Sequence, residues 1–200
     1  MISLPAPHKK GRVSVEEAIA ARRTVRSFSP QALSEEQLSQ LLWVTWGVID
    51  SREGRKAIPS AGALYPLEVY IAVGADGVRG LEEGVYRYLS EEHSLERIAS
   101  GDRRREVAEA SLWQMWMASA PVIFVIAAEY GRTTRKYGDR GVRYVLMEVG
   151  HAAQNLFLES VALGLGAGIV GAFYDEKVAK VLDLPEHHEP LLIMPVGYPR

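Results

Sequence analysis

The stretch from Val142 to Leu163 constrains the fold more than any other part of this chain. Val142, Val145, Leu146, Val149, Ala153, Leu156, Phe157 and Ser160 recur at helical spacing. Gly150, Ala152 and Ala162 put small residues on the other faces. A long helix that is apolar most of the way round must be buried on all sides. In a chain of 200 residues this predicts a core helix that also meets a partner subunit.

The other elements are arranged around it. Ser14-Val-Glu-Glu17 reads as a capping box opening a helix through Arg22, and Ser34-Glu-Glu-Gln37 as a second. The second is followed by an apolar stripe of Leu38, Leu41, Leu42, Thr45 and Trp46. Leu67 to Val73 and Val85 to Leu89 read as strands, the latter with Tyr86 and Tyr88 on one face, and Pro121 to Ala128 as a fully buried one. Asp102 to Ala118 reads as helix. A strand near Gly168 to Val170, a helix from Asp175 to Leu182 and a last strand from Leu191 to Val196 follow. Helices and strands mix without strict alternation, which predicts an α+β fold. No repeat or low-complexity linker divides the chain, so residues 1–200 read as one domain, with 1–12 an extended arm.

Composition narrows the function classes. A formal net charge of −2 provides no field to recruit nucleic acid or an anionic membrane. There are no cysteines, which excludes disulfides, thiolate metal sites and a cysteine nucleophile, and is in keeping with a cytosolic protein. Met1 to Arg12 holds no apolar run, and Pro121 to Ala128 is far too short to span a bilayer. The expectation is a cytoplasmic protein with a small-molecule substrate.

Several motifs admit two readings. Gly166-Ala-Gly168-Ile-Val-Gly171 fits a dinucleotide fingerprint by letter. Such a site needs a strand before it and a helix opening on its third glycine, and here a long helix precedes it, so the fingerprint is rejected. Arg22-Arg-Thr-Val-Arg26 could simply offset a helix C-terminal dipole. Phe28 and Pro30 follow, however, so the chain turns extended, and Arg22, Thr24 and Arg26 would then point donors the same way. The guanidinium fork suits a phosphate. Pro59-Ser-Ala-Gly-Ala-Leu-Tyr-Pro66 is a turn or a wall of small residues for a planar ring. Glu186-His-His-Glu189 has metal-capable side chains, but they are consecutive and read as a surface loop, so no metal is expected. His151 and Asn155 share a helical face as a core pair or partner contact, and Trp113 and Trp116 read as core or pocket rim.

The segments R-R-T-V-R-S-F, I-P-S-A-G-A-L-Y-P-L-E-V-Y, G-H-A-A-Q-N-L, A-G-I-V-G-A-F and P-V-G-Y-P occur in that order. Together they resemble the nitroreductase family of flavoproteins, from about Ser14 to Arg200. P-S-A-G-A-L-Y-P-L-E and the later K-Y-G-D-R-G-V-R-Y resemble its SagB-type branch, which includes azoline dehydrogenases.

This resemblance implies a mostly antiparallel sheet flanked by helices, a homodimer with flavin sites at the interface, and FMN passing hydride between the co-substrate NAD(P)H and an organic acceptor, beside the alternatives of azoline oxidation with oxygen or flavin binding without turnover. It implies phosphate contacts from Arg22 and Thr24, a backbone contribution from Arg23, Arg26 at flavin N1 and O2, and Arg200 reaching the phosphate. Pro59, Ser60, Ala61 and Gly62 would pack on the flavin of the other subunit. Ile169, Val170, Gly171 and Ala172 would form the loop whose backbone serves flavin N5. Gly171 stands where many relatives carry Glu. Lys136 and Tyr137 match a proton-transfer pair of the azoline dehydrogenases, beside the alternative of a solvated loop.

Overall fold

The computed structural model describes all residues, 1–200. In chain order the elements are β1 (Ile2–Ser3), α1 (Val15–Ala21), α2 (Glu35–Trp46), β2 (Val48–Asp50), β3 (Arg55–Lys56), β4 (Leu67–Val73), β5 (Gly84–Leu89), β6 (Ser94–Ser100) and α3 (Arg104–Ala110). There follow β7 (Val122–Ala128), α4 (Tyr130–Tyr137), α5 (Arg140–Ala162), β8 (Gly166–Ala167), α6 (Asp175–Val181) and β9 (Glu189–Gly197). Short 3-10 turns cover Ala61–Ala63 and Met115–Ser119.

Both capping boxes form. Ser14 Oγ accepts from Glu17 N and Ser34 Oγ from Gln37 N, while the Glu17 and Gln37 side chains return the bond to the cap N–H. Seven strands join in the order β1-β6-β5-β4-β7-β9-β8, and every paired neighbour is antiparallel. A separate hairpin joins β2 to β3. The fold is α+β.

The apolar runs of β7 and, Glu68 apart, of β4 have a direct cause. Alternate side chains point to opposite faces, and both faces of this sheet are covered. Leu67, Val69, Ile71, Phe124 and Ile126 pack with Leu38, Leu41 and Leu42 of α2 and Leu156 of α5. Tyr70, Ala72, Ile123 and Val125 pack with Val107 of α3 and Val178 of α6. A strand buried on both sides needs no polar alternation.

Three expectations are corrected. The helix read over Asp102 to Ala118 stops at Ala110, because Leu112 and Trp113 take positive φ of 55° and 60°. Gln114 Nε2 secures the break by donating to Ser111 O at 3.0 Å and Ala172 O at 3.1 Å. The strand near Gly168 to Val170 lies two residues earlier, as β8; Val170 makes only an isolated bridge to Ile193. Finally, α5 is not buried on all sides of the single chain, since Val142, Leu146 and Met147 are exposed. The reading missed β6 and α4, whose sequences SLERIAS and YGRTTRKY carry few apolar residues.

The arm at residues 1–12 docks on the domain. Ile2 and Ser3 pair with Leu95 and Ser94, and Gln40 exchanges hydrogen bonds with the His8 backbone at 2.8 and 3.1 Å. No helix is long and apolar enough to cross a membrane.

Ser34→Ala removes the side-chain acceptor at the start of α2. It is expected to lower stability by about 1 kcal/mol, read as a shift in urea midpoint at unchanged slope.

Candidate functional site

The arginine stretch leaves α1 at Arg22, whose backbone is already extended. Thr24 bridges Ala167 of β8 in parallel, and Val25 N donates to Ala167 O at 2.9 Å. Two aromatic surfaces carry the guanidinium groups. Arg22 lies 5.3 Å from the ring centroid of Phe157 on α5, and Arg26 lies 5.8 Å from Trp116. Trp116 in turn stacks on Phe28 at 6.5 Å. None of Arg22, Arg23 or Arg26 has a carboxylate within salt-bridge distance, whereas Arg87, Arg104 and Arg132 all do. Cations held by aromatic faces and left without an acid are ready to receive an anion.

The loop after β8 runs beside this stretch. Gly168 must be glycine, because a β-carbon there would come within 2.6 Å of the Trp116 ring and 2.9 Å of Val25 O. Val170 N is engaged by Ile193 O at 2.9 Å. Gly171 is exposed and its N–H makes no hydrogen bond within the chain. Ile169 and Ala172, on either side, are exposed as well. Arg200 is tied back by its own N–H, which donates to Ser27 O at 3.1 Å, so the last residue stands next to the arginine stretch.

A second group assembles elsewhere along α5. Glu148 is buried, and its Oε1 accepts from Ser60 Oγ and Ala61 N, each at 3.0 Å. Ser60 Oγ also accepts from Tyr65 N at 2.9 Å. Gly62 has φ +63°, a left-handed conformation that favours glycine. A β-carbon there would come within 2.7 Å of Tyr137 Oη and 2.9 Å of Lys136 Nζ. The segment from exposed Pro59 to Gly62 and the Lys136–Tyr137 pair therefore meet. Tyr137 also packs edge-on against Tyr144, with centroids 5.2 Å apart.

The sequence reading brought together Arg22, Thr24, Arg26, Ile169 to Ala172 and Arg200 as one group, and the structure places them side by side. It did not join Pro59–Gly62 to Lys136–Tyr137, and it missed Glu148 and the platform role of Trp116. An acid inside the apolar run V-L-M-E-V was the available signal for Glu148. His151 is exposed and Asn155 bonds Val44 O at 3.0 Å, so they form no core pair. Trp113 is exposed and so lies outside the core.

Phe157 and Glu148 stand nine residues apart on α5, roughly 13 Å along its axis at about 1.5 Å per residue. The two groups of one chain are thus separated along the helix. Two concavities of the chain, about 840 Å³ around Arg79 and about 590 Å³ between residues 8–12 and α2, contain neither group.

Comparison with known proteins agrees with this architecture. The profile of the nitroreductase family matches residues 19–198. A Methanocaldococcus jannaschii protein, provisionally named a nitroreductase, is 50% identical over 92% of this chain and 91% of its own length. The microcin B17-processing protein McbC of Escherichia coli is 28% identical over 82% of this chain and 62% of its own length. A Ralstonia eutropha crystal structure, also provisionally named a nitroreductase, superposes with a TM-score of 0.85 at 28% identity, covering 100% of this chain and 89% of that one. The fold is therefore that of the nitroreductases. The chain belongs to the nitroreductase family, and its likeness to McbC supports the SagB-type branch.

Burial pushes the Glu148 carboxyl above its ordinary range, against the lowering effect of the Ala61 and Ser60 bonds. The folded state then binds this proton more tightly than the unfolded one. Stability from this group is present below the ordinary glutamate range and falls as pH rises through the folded value. Glu148→Gln is expected to flatten that fall in a pH series of thermal melts. Glu148→Ala, which orphans Ser60 and Ala61, should cost roughly 1–3 kcal/mol.

Proposed function

We propose that the protein is an FMN-dependent oxidoreductase that passes hydride between NAD(P)H and an organic acceptor by a ping-pong mechanism, acting as a homodimer. The observation that carries this reading is the row Arg22, Arg23 and Arg26, without acidic partners, beside a loop whose Gly171 N–H is free. The site fits the cofactor by the chemistry of its donors. Bound FMN supplies a two-electron couple that takes up and returns hydride at its N5.

The residues of this chain would hold it as follows. Arg22 offers its fork of donors to the phosphate, joined by the Thr24 hydroxyl, the Arg23 backbone and Arg200. Arg26, fixed over Trp116, would serve the N1 and O2 edge, where a cation favours negative charge. The Gly171 N–H would donate toward N5, framed by Ile169, Val170 and Ala172. A backbone donor needs no side chain, so the glycine at this position keeps the function.

The partner copy supplies the other wall, through its own segment 59–62. Two features support a dimer. The two groups of one chain are far apart along α5, and α1 and α5 expose Val15, Ile19, Val142, Leu146 and Met147. An apolar surface of this kind suits a second copy.

A second reading has its own observation. Lys136 Nζ and Tyr137 Oη converge on Gly62, so this pair can hold or move a proton at the face of the segment that walls the ring. In an azoline-type dehydrogenation this pair would take the substrate proton, while bound flavin would supply the hydride acceptor and oxygen the terminal oxidant. The relative named microcin B17-processing protein favours keeping this direction in view.

Stopped-flow mixing with NADH or NADPH is expected to bleach the oxidised flavin bands. No bleaching with either donor removes the NAD(P)H direction and leaves the dehydrogenase one. Arg22→Ala is expected to weaken FMN binding by roughly 1.5–3 kcal/mol, ten- to a hundredfold; unchanged flavin occupancy would contradict the assignment. Sedimentation should show a flavin-loaded dimer, and a stable flavin-loaded monomer would contradict the shared site.

A further inference from the structure

The loop before β9 carries a cluster that the proposed redox chemistry does not use. Antiparallel pairing of β7 and β9 sets Ala128 opposite Glu189. The next residue of one strand, Glu129, and the preceding residue of the other, His188, therefore meet just past the sheet. His187 follows, and one ligand-capable atom from each of Glu129, His187 and His188 lies within 4.8 Å of the others. The expectation of a plain surface loop holds for Glu186 and His187, which are exposed, while Glu189, also exposed, opens β9. It fails for His188, only 3% exposed.

His188 is held as a metal-binding histidine is held. Its Nδ1 lies 2.6 Å from Tyr70 Oη, and its Nε2 is buried with no hydrogen-bond partner. With Nδ1–H donating to the Tyr70 oxygen, Nε2 presents a lone pair. A hydrogen bond to the second ring nitrogen is the usual way a ligating imidazole is oriented. Glu129 is oriented too. Arg132 Nε holds its Oε2 at 2.7 Å, while Oε1 is met only loosely, by Arg135 at 3.7 Å. Glu68, Arg87 and Arg132 also face His188. The two arginines temper the attraction for a cation, which points to moderate rather than extreme affinity.

We propose that Glu129, His187 and His188 form a binding site for a borderline divalent metal ion, zinc being the best match. Two imidazole nitrogens and one carboxylate oxygen suit zinc, with water completing a tetrahedron. Such an ion would clasp the end of β7 to the start of β9, its neighbour in the sheet. This inference does not depend on the flavin reading.

The test is calorimetric titration of the chelator-treated protein with zinc chloride. His188 lies in the core and its replacement puts the fold at risk, so the deciding variants are His187→Ala, at an exposed position, and Glu129→Gln. One ion per chain is expected, with affinity falling roughly tenfold or more in each variant. Saturating zinc should raise the melting temperature of the parent protein, and by a smaller amount that of each variant. No zinc uptake by the parent protein overturns the proposal. Undiminished uptake in both variants also overturns it, by placing the ion at another histidine such as His8, His93 or His151.

Discussion

The hydrogen bond from Val25 N to Ala167 O, with Thr24 bridged to the same residue, fixes everything the candidate site can do. It lays the arginine stretch along the short strand that leads into the Gly171 loop. With the Phe28–Pro199 bridge and the Ser29 N to Tyr198 O bond a few residues on, it gives the guanidinium groups a fixed direction. Arg22 over Phe157 and Arg26 over Trp116 then hold two charges in place without neutralising them. Close packing tightens the arrangement further, since Gly168 has no room for a side chain between Trp116 and Val25 O. An acidic partner for any of these arginines would weaken the site, and none is present within salt-bridge reach.

Helix α5 joins this region to the second one. The same helix presents Phe157 to Arg22 and, more than two turns earlier, Glu148 to the segment 60–61. A buried carboxylate is costly unless its bonds are made. Glu148 makes two through one oxygen, and the other is buried without a partner. The consequence is a loop whose position depends on one acid and whose last residue, Gly62, meets Lys136 and Tyr137. Because the two regions lie far apart on one helix, a second chain offers the simplest way to bring one of each together.

Much of this was legible in the sequence, for identifiable reasons. Capping boxes and doubly buried strands are local signals, and α1, α2, β4 and β7 formed where those signals stood. Elements stabilised from a distance were not legible. Helix α4 is almost wholly polar and is held by Arg132, which reaches Glu68 and Glu129. The break at Leu112 and Trp113 is secured by Gln114 contacting Ala172, far along the chain. His188 looked like a loop residue because its partner, Tyr70, lies on another strand. The arginine stretch was recognisable from its residues and the family resemblance. Its aromatic platforms required the fold.

The central claim is that the arginine stretch grips the phosphate of a flavin nucleotide. Comparing equilibrium binding of FMN and riboflavin to the cofactor-stripped protein tests it most directly, since the two ligands differ only in that phosphate. FMN is predicted to bind roughly ten- to a hundredfold more tightly, as the loss of a charged hydrogen-bond pair requires. Equal affinity for the two would contradict the account.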